Sequence, residues 1–388
     1  MTARWPCACL YAASGSTVRQ TAYREAFLAN AHGRIRYYAQ KQPVTQSKAA
    51  TATETDPVKS ALTIVQSRAN SDPLNPPRST LPPPLTLPTR GSESTPVYWF
   101  RIGRAYGTFF KDGLKAVWFN RQAANILQTR IKTELKAQNI TDAVSQNAIT
   151  RSEFQLLARN AHDVGKLPVF GLLLLVFGEW LVFIVPFVPN RVPGTCRIPS
   201  QVRGMRQATE ERRRNSFRQG ITGPSEEQFP SALPAQAKEH DAGPGKWPLA
   251  FSGEYRQRVL SGLRDDQLFH LSSSLGLHSK MWDRVQLAPP SSILRRAIGS
   301  RLEQICQDDF LILKAGGSSK LVPEELYAAC EQRGIDVLDK KDEQLHKSLQ
   351  WWLARQAEDT GRGSALFTML FRRLAMRDWL ALNVRANQ

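Results

Sequence analysis

Residues 167–189 read LPVFGLLLLVFGEWLVFIVPFVP, with Glu179 as their only charge. At about 1.5 Å per residue such a run reaches roughly 34 Å as a helix, enough to cross a bilayer core of about 30 Å. It starts too far into the chain for a secretory leader and is apolar on every face. It therefore predicts a single transmembrane helix; a buried helix of a water-soluble core is the competing reading. A mid-depth carboxylate such as Glu179 is costly, and is kept where it faces another helix, a watery cavity or a cation. Asp163 and Lys166 lie just before the run and, three apart, share a helix face. Glu179, Asp163 and Lys166 are thus the candidate ion and proton pathway. Gly171 and Gly178 share a stripe beside Glu179 and form a candidate face for packing against a second copy.

Working outward, residues 1–38 contain Arg4, Arg19, Arg24, Arg34 and Arg36 against one acid, Glu25. An Arg-rich, acid-poor leader of this kind predicts a mitochondrial targeting peptide. Arg36-Tyr37-Tyr38-Ala39 resembles a processing site cut after Tyr38. Residues 39–95 carry Pro73, Pro76, Pro77, Pro82, Pro83, Pro84 and Pro88, and read as a disordered Pro-rich linker. Residues 96–166 read as juxtamembrane helices. Tyr98, Trp99, Phe100, Phe109, Phe110, Trp118 and Phe119 are interleaved there with Arg101, Arg104, Lys111, Lys115 and Arg121, as at a bilayer interface. The same mixture could stack on nucleic acid. Thr150 and Glu153 have the spacing of a capping box, which starts the helix leading into the apolar run.

Beyond the run, residues 190–249 form a basic segment and linker. Arg191, Arg197, Arg203, Arg206, Arg212, Arg213, Arg214 and Arg218 are candidate contacts to RNA phosphates or to lipid headgroups. The formal net charge of +18 points the same way, to a polyanionic partner or an anionic membrane surface. From about residue 250 to 358 the pattern is all helical. Leu268, Leu271 and Leu275 share a face that Gly276 ends. A helix after Pro289-Pro290 turns Ile293, Leu294, Ala297, Leu302 and Ile305 inward. Pro323 opens another that Gly334 closes. Asp339 is placed to cap a last helix bearing Leu345, Leu349, Trp352 and Leu353. Residues 359–388 read as a C-terminal amphipathic helix, where Phe367, Phe371 and Trp379 lie beside Arg372, Arg373 and Arg377, for a membrane surface or for packing. Overall the fold class is all-α: a disordered N-terminal region, one transmembrane helix and a small helical domain.

Chemistry-bearing constellations are few. Cys7, Cys9, Cys196, Cys306 and Cys330 make no C-x-x-C pair, and the six histidines make no ligand cluster, so reduced thiols, no metal and no cofactor are expected. With no nucleophile–base pair and no phosphate loop, the chain is not expected to be an enzyme.

Three stretches resemble one family. The first holds Asp163 and Lys166, then Leu167-Pro168 and the mid-run Glu179. The second is Pro189-Asn190-Arg191-Val192-Pro193-Gly194-Thr195, similar to a P-N-x-x-P-x-T exit. The third holds Leu275-Gly276-Leu277, Asp308-Asp309, the series from Glu325 to Gly334, and Gln350-Trp351-Trp352-Leu353. Together they resemble the LETM family, the leucine-zipper and EF-hand-containing transmembrane proteins of the mitochondrial inner membrane, in a short form with the ribosome-binding-like domain.

The resemblance implies an inner-membrane, single-pass protein with its C-terminal domain in the matrix. It also implies potassium/proton or calcium/proton exchange through Glu179, and docking of mitochondrial ribosomes. The implied partners are the mitochondrial ribosome, inner-membrane lipids, a second copy of the chain, and K⁺ or Ca²⁺ with protons. Departures are the lack of an EF-hand loop and of sustained heptads. Two alternatives are a membrane-anchored assembly or translation factor without transport, and a SAP-like nucleic-acid-binding protein resting on residues 321–353.

Overall fold

The computed structural model describes residues 72–91, 94–137, 139–177, 185, 188–225, 228, 253–285, 287–358 and 364–371. The targeting leader, Gly178, Glu179 and most of the linker expected over 220–249 lie outside the described residues. Every described segment of regular structure is helical, as the sequence pattern predicts.

Thr95–Thr133 (α1) opens with Pro96 in its first turn, where a missing N–H is harmless. Its 39 residues reach about 58 Å. That length lets it serve two cores. Phe109 and Phe110 cluster with Phe170 and Val185, while Leu127 and Ile131 cluster with Phe154, Leu157 and Leu311. Ile140–Ser145 (α2) leads to Arg151–Val164 (α3), which starts with the expected capping box. The Glu153 N–H donates to Thr150 Oγ1 at 3.3 Å and the Thr150 N–H donates to Glu153 Oε2 at 2.9 Å.

Leu167–Phe177 (α4) is the described part of the apolar run. Among the described residues no single helix is long and apolar enough to cross a membrane. Taken together, α3 and α4 are long and apolar enough, but the pair bends by 44° at its junction. The straight crossing predicted from the sequence also conflicts with where its two ends lie. A straight helix over 167–189 would put them roughly 33 Å apart. Instead the Gly194 N–H donates to Asp163 Oδ1 at 2.7 Å, and Lys166 Nζ donates to the Val192 carbonyl at 3.4 Å.

After two short 3₁₀ turns, Pro189–Arg191 and Gly194–Cys196, the chain runs into Pro199–Arg218 (α5). The remaining helices are Gly253–Gly262 (α6), Asp265–Ser274 (α7), Lys280–Val285 (α8), Ser291–Lys314 (α9), Pro323–Gln332 (α10), Asp342–Glu358 (α11) and Ser364–Phe371 (α12). The predicted Leu268, Leu271, Leu345, Leu349, Trp352 and Leu353 are all in their core. Gly276 and Gly334 adopt the left-handed φ of helix ends, +65° and +78°.

Three readings change, and the choice left open for the C-terminal helix falls to packing for its described part. Ile293 faces solvent, and Ile298 takes the inward position one turn on. Asp339 sits in a left-handed turn before α11, whose start is bonded instead by Gln344 Oε1 accepting from the Lys341 N–H at 3.3 Å. Phe367 and Phe371 are buried in the domain core, so α12 is a packing helix; residues 372–388 lie outside the described residues. Part of the Pro-rich linker is a strap. Leu74 enters the core beyond residue 250, and Asn75 donates to the Lys320 carbonyl at 3.0 Å and accepts from the Val322 N–H at 3.1 Å. Proline content signals extended backbone; only the distant loop at 320–322 shows what that backbone binds.

Candidate functional site at the foot of the apolar helix

The foot of α4 is built by the turn that follows it. Prolines at 189 and 193 force the chain out of helix, and the two 3₁₀ turns double it back onto α3 and α1. Thr195 Oγ1 donates to the Gly113 carbonyl at 3.1 Å. A side chain at Gly113 would meet Cys196 Sγ and the Thr195 carbonyl oxygen at 2.9 Å, so glycine is required for this close approach. Asp163 and Lys166, predicted to share a face, both reach the returning chain. Burial pushes the Asp163 carboxyl up, and the N–H groups of Gly194 and Thr195 together with Lys166 and Arg197 only partly offset this. Burial brings the half-buried Lys166 ammonium down to about 8, with Arg197 adding to the shift and Asp163 opposing it. Arg197 is also held below its ordinary range by burial, and its Nε is buried with no hydrogen-bond partner in the structure. Arg301, from α9, is lowered by burial as well, with Glu331 pulling the other way. The foot is therefore short of anions, and its groups hold their protons weakly or strongly for reasons of desolvation. Gly171 has open space around it.

A second charged cluster, not anticipated from the sequence, lies where α3 meets α9, α10 and α11. Arg151 Nε donates to Asp308 Oδ1 at 2.8 Å, and both side chains are 1% exposed. Arg159 holds Glu325 with two bonds, 2.7 and 2.8 Å. Arg333 bonds Asp308 and Asp309 at 2.8 Å each, and Trp352 Nε1 donates to Asp309 Oδ2 at 2.9 Å. Three guanidinium groups face three carboxylates. Burial pushes the Asp308 carboxyl up, but Arg151 and Arg333 outweigh it and hold it at about 2. Asp309, with fewer cations, ends above its ordinary value because burial wins. Balanced, multiply bonded and dry, this cluster is a structural lock.

Residues 250–371 match the family model described as "LETM1-like, RBD". The LETM1 domain-containing protein mdm28, mitochondrial, of Schizosaccharomyces pombe is 28% identical over 215 residues, covering 53% of this chain and 45% of that protein. The matched domain and this relative support a relationship to the LETM family. The chain spans less than half the length of that relative. Residues 94–232 match a further family model, the "Pentamidine resistance factor domain". No solved structure matches.

The lock joins the two matched segments, since Arg151 and Arg159 come from one and Asp308, Asp309, Glu325 and Arg333 from the other. Half of the predicted arginines, Arg197, Arg206, Arg212 and Arg213, are buried or half-buried. Arg206 pairs with Glu331 at 3.0 Å and Arg212 with Asp283 at 2.9 Å. Arg213 is buried against Glu210 and donates to the Ser274 carbonyl at 2.9 Å, satisfying an orphan acceptor at the end of α7. Arg214 bridges Glu210 and Asp336. Arg191, Arg203, Arg214 and Arg218 stay exposed. Sequence reading missed the lock because arginine and carboxylate signal surface by default. The one available signal was Asp308-Asp309 inside an otherwise apolar-patterned helix.

Proposed function

We propose that this protein is a mitochondrial inner-membrane platform that docks mitochondrial ribosomes on its matrix side and takes part in cation homeostasis. Its work is binding and ion movement, not enzymatic catalysis. One observation carries the docking reading: the LETM1-like, RBD segment is fastened by the buried lock to α3, which runs directly into the exposed apolar α4. A ribosome held by that segment would sit at a fixed distance from lipid. The acid-poor, Arg-rich leader and the mitochondrial relative from Schizosaccharomyces pombe support mitochondria. The exposed Arg191, Arg203 and Arg218 offer phosphate contacts. Co-sedimentation of the full chain with mitochondrial ribosomes tests this: binding should fall steeply with salt and weaken in the Arg203→Glu/Arg218→Glu double variant. Absent binding, or binding unmoved by salt, would overturn the reading.

A second reading, K⁺/H⁺ or Ca²⁺/H⁺ exchange, is favoured by Asp163. It is a buried carboxylate of raised proton affinity at the mouth of the run that carries Glu179, with a titratable Lys166 beside it. A second copy of the chain would complete such a path. Purified protein in liposomes should move K⁺ against H⁺, and Glu179→Gln should abolish this while leaving ribosome binding intact. Exchange at the unchanged rate in that variant leaves the anchored assembly or translation factor as the reading.

A further inference from the structure

The path of the chain around the apolar run constrains which side of the membrane each part occupies. Helices before the run and helices after it share their interiors. Leu74 is in the core built after residue 250, and Leu311 of α9 is in the core built by α1, α2 and α3. The Arg151–Asp308 pair, 2.8 Å apart and sealed from solvent, ties the same two parts. A hydrocarbon core is about 30 Å thick, so parts joined by a contact of this kind cannot lie on its opposite faces. The hydrogen bonds at Asp163 and Lys166 add that the chain returns beside the point where it left.

What α4 presents outward is apolar. Leu172 is 61% exposed, Leu175 81% and Val176 61%, and the helix holds no polar side chain. Around its foot stand the cations Lys166, Arg191 and Arg197. Trp99 and Phe100 are exposed at the start of α1, which packs on α4 through Phe109 and Phe110. Aromatic and basic groups flanking an unpartnered apolar helix fit the headgroup boundary of an anionic bilayer.

We infer that the apolar run beginning with α4 enters an anionic bilayer and that the chain leaves by the face through which it entered, so that residues 72–164 and 188–371 lie on the same side of the membrane. This rests on the membrane reading above.

The test uses the full chain with Cys7→Ser and Cys9→Ser; the remaining cysteines, Cys196, Cys306 and Cys330, are buried. Gln128→Cys and Glu343→Cys place one exposed thiol before the run and one after it. The protein is reconstituted in sealed vesicles of phosphatidylcholine and phosphatidylglycerol and labelled to saturation with an impermeant maleimide. Intact-mass spectrometry should find two labels or none on each molecule. A main species with one label puts the thiols on opposite sides and overturns the inference. Failure to float with vesicles at all would instead overturn the membrane reading on which it rests. Leu172→Asp/Leu175→Asp changes only exposed positions, so circular dichroism and melting should be unchanged while flotation falls at least tenfold. Undiminished flotation would show that α4 is not the inserted element, and a non-floating dimer in gel filtration would show that a second copy covers it.

Discussion

Two charged clusters lie at opposite ends of α3, and they differ in charge balance. At its start, three arginines meet three carboxylates through repeated short bonds in a dry interior. At its end, Asp163 is bonded to backbone N–H groups, and Lys166, Arg197 and Arg301 gather with few anions to answer them. Both clusters are buried to a large degree, so burial alone does not distinguish them. Balance does. A compensated cluster resists change and holds helices together, whereas an uncompensated one leaves cations that a further anion could answer.

The sharpest way to break the comparison is to unbalance the lock. Asp308→Ala strands Arg151 and Arg333 without their shared carboxylate, and such a loss costs about 3–5 kcal/mol. Chemical denaturation should show this, and should show far less for Asp163→Asn, whose amide oxygen can still accept from the Gly194 N–H. Equal losses would erase the distinction between the clusters.

Next in size is acid. Asp308 has a folded pKa of about 2, below its ordinary 3.8, so its contribution is fully present above about pH 4 and is lost as pH falls through 2. That contribution is about 2 kcal/mol. Asp163 and Asp309, whose folded values are raised, act in the opposite sense and gain on protonation. Stability measured from pH 5 to 2 should therefore fall less steeply in Asp308→Asn than in the unaltered protein. A parallel pair of curves would mean that Asp308 is not held down by its arginines.

Gly113→Val tests the foot itself. The added carbons collide with Cys196 and with the Thr195 backbone, and overpacking of this kind costs about 1–3 kcal/mol. Hydrogen exchange should rise around residues 192–196 with little change at Trp352.

Lys166, with its pKa brought to about 8, should be acylated near pH 8 well ahead of ordinary lysines, which titrate at about 10.4. Peptide mass spectrometry reads this directly. The smallest effect belongs to the exposed Arg203–Asp339 pair at 3.8 Å, where Arg203→Ala should change stability by less than about 0.5 kcal/mol.

By itself the sequence determined the helical class, the capping of α3 by Thr150 and Glu153, the ends at Gly276 and Gly334, and the inward stripes at Leu268, Leu349 and Trp352. These are local matters. Helix period, cap spacing and the tolerance of glycine for positive φ act over a few residues and are written in consecutive letters. It also marked Asp163, Lys166, Thr195 and Asp308-Asp309 as notable, without their partners. Only the tertiary structure decided that the two ends of the apolar run meet, that Leu74 and Asn75 strap a distant loop, and that Arg213 works inside the molecule while Arg218 stays outside. Each of those depends on contacts between residues tens to hundreds of positions apart. An arginine's letter is the same whether a carboxylate or water completes its hydrogen bonds, and an apolar run has the same composition whether the chain continues beyond it or turns back.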